Sequence, residues 1–300
     1  MRYPEYQNKK FAGTKKSSKP KTSSPASEAW YRLRRNRTAV IGLVMIILLI
    51  IAAIFAPLIA QYDPASQDYS ALKAAPSGEH WFGTDSTGRD LFSRCIYACR
   101  VSLPLALICT LASFLLGGSL GFIAGYFGGK VDQVIMRIMD IFQAIPAILM
   151  SIAIISCLGN SVLNLVIAMA VSTMPLMARM CRGALFTVVG ADYLESSRAI
   201  GAGNLRLLVK HMIPNAVGTV IIFMVGCIAG SIMIISTLSY IGLGITPPTP
   251  EWGSILNAGR QYIGSSPHLV IFPGLMIMYT CFAFNMLGDG LRDALDPRLK

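Results

Sequence analysis

The segment most like a chemical site runs Gly83-Thr84-Asp85-Ser86-Thr87-Gly88-Arg89-Asp90. Its glycine spacing imitates a loop that cradles phosphate with backbone N–H groups. The chemistry fails at two positions. Arg89 stands where such a loop needs Lys, and Asp90 stands where Ser or Thr would hold magnesium and would itself repel phosphate. No nucleotide site is expected, so any pumping must draw its energy from another chain. Cys95 and Cys99 can share a helix face, but two thiols without a nearby His or further Cys make a poor metal site. His80, His211 and His268 fall outside the centres of the apolar runs, so no Ser–His pair can be placed within a membrane. The expectation is therefore no catalytic residue and no metal ligand.

The elements that would have to position any site are membrane spans. Hydrophobic residues make up 54% of the 300 positions and charged residues only 14%, against about 25% charged in soluble domains. Mean hydropathy is +0.57. A chain this apolar cannot hide its surplus in one water-facing globule. The seven cysteines are odd in number and lie mostly inside apolar runs, which suits packing and not a disulfide framework.

Six spans are expected. Residues 1–37 form a basic tail, with Trp30, Tyr31 and four arginines as an interfacial anchor at its end. The tail either touches anionic lipid or only helps to set orientation. The first span, Thr38 to Ala60, is too long for the apolar core of a signal peptide. Residues 61–96 read as an external loop. Later spans are expected over 101–126, 141–158, 161–180, 216–238 and 269–287, within a core of 97–288, and a short charged tail closes the chain. An even number of spans puts both termini on one side. With the termini inside, 21 basic residues lie inside and five outside, a strong orientation signal. No folded basic domain is left to bind nucleic acid.

The spans carry almost no charge, which argues against ion-coupled transport because a coupling ion needs a buried counter-charge. Gln143, Asn164 and Asn285 are the polar candidates for a passage, and each could equally be an interhelical hydrogen bond. Gly117, Gly121, Gly125 and Gly129 recur every four residues, so one helix face can approach another closely. That seam is either static packing or a place of movement. Pro146, Pro175 and Pro273 are expected to kink spans.

The polar stretch 181–215 contains a candidate helix, a glycine turn and a second helix. Tyr193 to Ile200 should be helical, Gly201 and Gly203 should break it, and Asn204 should cap a second short helix ending before Pro214. Spacing alone does not separate a projecting device from an ordinary interfacial loop. The stretch resembles the signature loop of ABC-transporter permeases, a Glu-Ala-Ala triplet followed by Gly and then Pro. Glu195, Ser196, Ser197, Gly201 and Pro214 stand at the matching spacing, with both alanines replaced by serine. Three more stretches resemble the dipeptide/oligopeptide/nickel permease family. They are His80-Trp81-Phe82-Gly83-Thr84-Asp85 with Gly88-Arg89-Asp90, Pro247 to Gly253, and Gly288 to Pro297.

The resemblance implies an all-α polytopic membrane protein with six transmembrane helices in the type I ABC-importer permease fold. It implies a bacterial plasma (inner) membrane setting with cytoplasmic termini. The implied partners are a second homologous permease, two cytoplasmic ATPases that carry ATP and magnesium, and an extracellular or periplasmic binding protein. No cofactor is implied on this chain. Residues 191–215 would be the coupling loop: Glu195 for a charge-assisted bond, Ser196 and Ser197 for close approach, Arg198 in the same segment, and Gly201 for the bend. The implied cargo is a short peptide, with nickel or a nickel chelate as the alternative. An ATP-independent channel or secondary transporter is the reading from another class. The external loops would either touch the binding protein or pack over the mouth.

Overall fold

The computed structural model describes residues 31, 33–190, 192–199 and 201–295, and leaves out the side chains of Asp192, Tyr193, Glu195, Arg198 and Leu295. The expected basic tail lies outside the described residues up to position 30. Among the described residues five helices are long and apolar enough to cross a membrane, or six if one bent pair forms a single crossing. No strand ladder occurs there; the one extended pairing is an isolated bridge, Thr84 to Asp90.

Helix α1 spans Arg37–Ile54, and Asn36 Oδ1 caps it by accepting from the Thr38 and Ala39 N–H groups at 3.0 and 3.2 Å. Helix α2 spans Leu91–Phe127, 37 residues with a π-type stretch at Phe114–Gly118. It begins about ten residues earlier than the sequence suggests. Asp90 caps it through Oδ2, which accepts from Ser93 N–H at 2.7 Å. Arg94 and Arg100 make its first turns look like loop, yet Leu91, Cys95, Ala98 and Cys99 there are fully buried.

The third crossing departs most from expectation. It is α3, Gly129–Gln143, followed by α4, Ala147–Leu158, bent by 80°. Pro146 has no N–H to continue the ladder and its ψ of 133° is extended, so the helix restarts in a new direction. The twelve residues of α4 reach about 18 Å, short of a hydrocarbon core of ~30 Å. Pro175 and Pro273, by contrast, sit inside continuous helices.

Helix α5 spans Val162–Phe186 and α6 spans Asp192–Ala199. Helix α7 is one run, Asn204–Tyr240, with a π-type stretch at Leu207–Met212. The expected end before Pro214 does not occur. The hydrogen-bond register changes just ahead of the proline, where a missing N–H costs least. Nor does Asn204 cap that helix: Gly203 holds the cap position, and Asn204 Oδ1 accepts from Tyr126 Oη–H at 2.8 Å. Helix α8 spans Trp252–Gly259 and α9 spans His268–Leu295, carrying the chain beyond the expected span end.

Among the described residues the two largest of four buried clusters hold the bundle. One joins Leu91, Cys95, Leu165, Met169, Ile232 and Trp252. The other joins Phe122, Leu185, Leu194, Leu207, Met212 and Val220. Helices α2 and α7 run from one cluster to the other in opposite directions. They define two ends: one with residues 61–90 and 241–267, the other with α6. Helix α1 packs on α9, where a Cβ on Gly42 would stand 2.7 Å from Leu287 N and 2.8 Å from Ala283 O.

Candidate functional site

At the α6 end, the backbone of Glu195, Ser196, Ser197 and Arg198 lies on one short helix. The Glu195 and Arg198 side chains lie outside the described residues. Gly201 has φ +83°, a left-handed conformation that costs glycine little and other residues about 1 kcal/mol or more. The chain thereby turns from α6 into α7. Leu194 is 1% exposed and packs with Leu207 and Met212, so α6 is anchored to the start of α7 and not suspended in solvent. Pro214 lies within α7, thirteen positions beyond Gly201.

The glycine seam is occupied. A Cβ on Gly117 would strike the Met174 carbonyl, and one on Gly121 would strike the Ala178 carbonyl. Gly125 is looser, 3.3 Å from Arg182 O and from Leu185. All three face α5, so the backbones of α2 and α5 are in direct contact. Gly129 does not belong to this seam: it starts α3 at φ +51°, with open space around it. Beside the seam, Arg182 donates to both Asp132 oxygens at 2.5 Å, and Arg179 donates to Asp140 at 2.5 Å. These pairs fasten α3 to α5.

The opposite end is built around buried charge. Asp85 is 4% exposed. Its Oδ1 accepts from the N–H groups of Thr87 and Arg89 at 2.8 and 3.0 Å, and its Oδ2 accepts from Arg89 Nε–H at 2.7 Å. Arg94 Nε stands 3.5 Å from the same Oδ2. The N–H groups that a phosphate would take in such a loop are thus turned onto an internal carboxylate. Burial works to raise the Asp85 pKa, but the bonds from Thr87 and Arg89 and the Arg89 charge outweigh it and hold it below the ordinary value. His80 Nδ1 lies 2.9 Å from Asp90 Oδ1. Phe82 stacks on Phe272 of α9 at 3.9 Å, and Trp252 Nε1–H donates to Cys95 O at 3.1 Å. Residues 61–90, α2, α8 and α9 form one unit.

Glu251, a residue the sequence does not single out, is fully buried. It caps α8, accepting from Gly253 and Ser254 N–H at 3.0 and 2.8 Å, with Ser102 of α2 and Ser239 of α7 beside it. Its signals in the sequence are its place in the Pro247 to Gly253 stretch and an acidic residue directly ahead of a short helix. Glu251→Ala should cost about 2–3 kcal/mol, by losing the cap and orphaning buried N–H groups. Thermal unfolding in detergent reads this directly, and a shift within error would remove Glu251 from the role of pin.

The three polar candidates separate. Gln143 is exposed at the last position of α3. Asn164 closes the turn between α4 and α5, donating from Nδ2 to Leu158 O and Gly159 O at 2.9 Å. Asn285 borders two hollows between α7 and α9, of about 570 and 290 Å³. Among the described residues no group of three or more His, Cys, Asp and Glu is placed to hold a metal ion.

Comparison with known proteins matches this arrangement. Residues 117–300 match the model of the binding-protein-dependent transport system inner membrane component family. Residues 24–76 match the N-terminal transmembrane domain of oligopeptide transport permease C. The chain is 43% identical over 278 residues to the glutathione transport system permease protein GsiD of Escherichia coli O6:K15:H31, covering 92% of each chain. It is 41% identical, over the same shares, to GsiD of Pectobacterium atrosepticum. Among solved structures, an inward-facing conformation of the MetNI methionine ABC transporter aligns with TM-score 0.57 and 18% identity, over 68% of this chain and 96% of that one. A second crystal form gives TM-score 0.53 and 20% identity, over 65% and 93%. The solved structures share the fold. The family model and the relatives place the chain: it belongs to the binding-protein-dependent transport system inner membrane components, the multi-pass permease subunits of type I ABC importers.

Proposed function

We propose that this chain forms half of a translocation pathway for short peptides and is driven through residues 191–215 by two cytoplasmic ATPases. A second, homologous permease supplies the other half, and a binding protein delivers cargo to the end formed by residues 61–90 and 241–267. ATP and magnesium belong to the ATPases. The 21-to-5 distribution of basic residues supports cytoplasmic termini and a cytoplasmic α6. The peptide assignment rests on the relatives, which are named for glutathione, a tripeptide.

The observation that carries the coupling role is α7 itself. It is a single 37-residue helix, about 55 Å long, that starts at the α6 turn and ends against α8. A force applied to α6 passes through Leu194 into the first turns of α7 and along a continuous rod. Access at the far end can then switch when the ATPases close.

Glu195→Lys tests this in cells that hold the whole importer. Uptake of a labelled tripeptide should fall at least about tenfold, with the protein at its normal level in the membrane, because a charge-assisted bond becomes a repulsion. Unchanged uptake would remove the coupling role. Gly201→Pro should have the same effect, since proline cannot take φ +83°. Were Gly201 only a helix cap, the loss would appear as lower stability and not as lower uptake per molecule.

A further inference from the structure

Helix α9 uses two faces. One carries Ala283, Leu287 and Gly290 and is packed against Ala39 and Gly42 of α1. The other carries Gly274, Met278, Asn285, Asp289 and Arg292, and looks across a groove at α7. The outer hollow of that groove, about 570 Å³, lies between Tyr240, Thr237 and Met233 of α7 and Met278 and Phe282 of α9. The inner one, about 290 Å³, lies between Phe223, Gly226 and Gly230 of α7 and Asp289 and Arg292 of α9. Asn285 borders both. The two hollows follow one another along the bundle, from the α8 end toward the α6 end, and meet at Asn285.

The chemistry of this face differs from that of a lipid face. Helix α1 turns Ile41, Val44, Leu48 and Ile51 outward, all of them aliphatic. The α7–α9 face instead offers hydroxyls at Thr237 and Tyr240 and the Asn285 carboxamide. Asn285 is exposed, and no hydrogen bond engages it among the described residues. Held against hydrocarbon, such an amide would have neither donor nor acceptor satisfied, a state that membrane proteins avoid. Water or a polar cargo removes that cost. No charged side chain lines either hollow until Asp289 and Arg292, of opposite sign, at the α6 end.

We infer that the α7–α9 groove is this subunit's wall of a water-filled passage, and that the uncharged Asn285 keeps it from favouring either sign of side-chain charge in the cargo. The inference deepens the proposed transport role and rests on it for the identity of the cargo. An amide both donates and accepts, which matches a peptide bond in either direction. Met233, Met278 and Phe282 offer adaptable apolar contact to side chains of differing shape. Between the α8 end and the Asp289 and Arg292 pair at the α6 end no fixed charge lines the groove, so along that length neither acidic nor basic side chains gain a counter-ion.

The test uses the full importer in cells and has two readouts. The first is the reaction of Asn285→Cys and Met278→Cys with a charged, membrane-impermeant methanethiosulfonate, compared with Leu48→Cys and with the parent chain. A thiol in water reacts as thiolate, whereas one in lipid or packed protein does not. We expect positions 285 and 278 to react at least about tenfold faster than position 48, and added tripeptide to slow them. The second readout is the ratio of trilysine to triglutamate uptake. Asn285→Asp should raise that ratio about tenfold, since a carboxylate in a confined wall favours one sign of charge. If the Asn285→Cys variant is as inert as the Leu48→Cys variant, the groove is filled by lipid or by packed protein and the passage is overturned. If it reacts but the uptake ratio does not move with Asn285→Asp, the selectivity role is overturned. Labelling requires no cargo, so a wild-type importer that takes up no peptide would strike the proposed cargo while the labelling still decides the passage.

Discussion

Asp85→Asn is expected to destabilise the protein by about 3–5 kcal/mol, the cost of leaving a buried charge without its partner. Arg89 and Arg94 are 7% and 2% exposed, and Asp85 is the carboxylate both approach. Asparagine is nearly the same size, so packing is kept and only the counter-charge and part of the acceptor set are lost. The protein should unfold at markedly lower temperature in detergent and accumulate poorly in the membrane. Adding Arg89→Met should recover part of the loss, because the orphaned guanidinium goes with it. A midpoint unchanged within error would show that water already screens the cluster. The pH dependence has a definite sign. The folded pKa of Asp85 lies below its unfolded value, so its contribution is fully present above about pH 3.9 and is lost only as pH falls through the lowered folded value. The wild type should keep this contribution at about pH 5.

Gly121→Leu should be equally damaging, for a reason of volume and not of charge. Its Cβ alone would collide with the Ala178 carbonyl, and backbone cannot step aside as a side chain can. Helices α2 and α5 would have to separate along the whole seam, losing contacts at Gly117 and Gly125 as well. A penalty of about 3 kcal/mol or more is expected, at or above the upper end of ordinary overpacking. Immunoblots of membrane fractions and detergent melting should both show it. Gly183 on α5 supplies the control, because a Cβ there meets nothing within 4 Å. Gly183→Leu should be tolerated. Equal behaviour of the two variants would mean that α2 and α5 are not in backbone contact.

Much of the architecture is legible in the sequence. Hydrocarbon requires about 20 apolar residues per crossing, so length and hydropathy locate most helices without knowledge of their neighbours. The same holds for the α6 turn, because a left-handed position such as Gly201 is written in the residue itself. Local signals failed where the decisive partner was distant in sequence. Arg94 makes the start of α2 read as loop, whereas in the fold Asp85 and the Pro64 carbonyl stand beside its guanidinium. Pro214 looked like a terminator until the π-type stretch ahead of it took up the change of register. Pro146 is expected to kink its span, and only the backbone gives the size of the bend, 80°.

For the candidate site the division is sharper. The sequence by itself determined a helix–glycine–helix loop, a small-residue seam and spans nearly free of charge, since each depends on residue type and spacing alone, while the permease reading rested on resemblance. Only the tertiary structure gave Asn164 to a turn and Asn285 to a groove, two amides that composition cannot tell apart. It also turned Asp85 from a spoiled phosphate loop into the centre of a buried ion cluster and exposed Glu251 as a pin. What a polar side chain does in a membrane protein depends on which other helix faces it, and that arrangement exists only once the helices have packed.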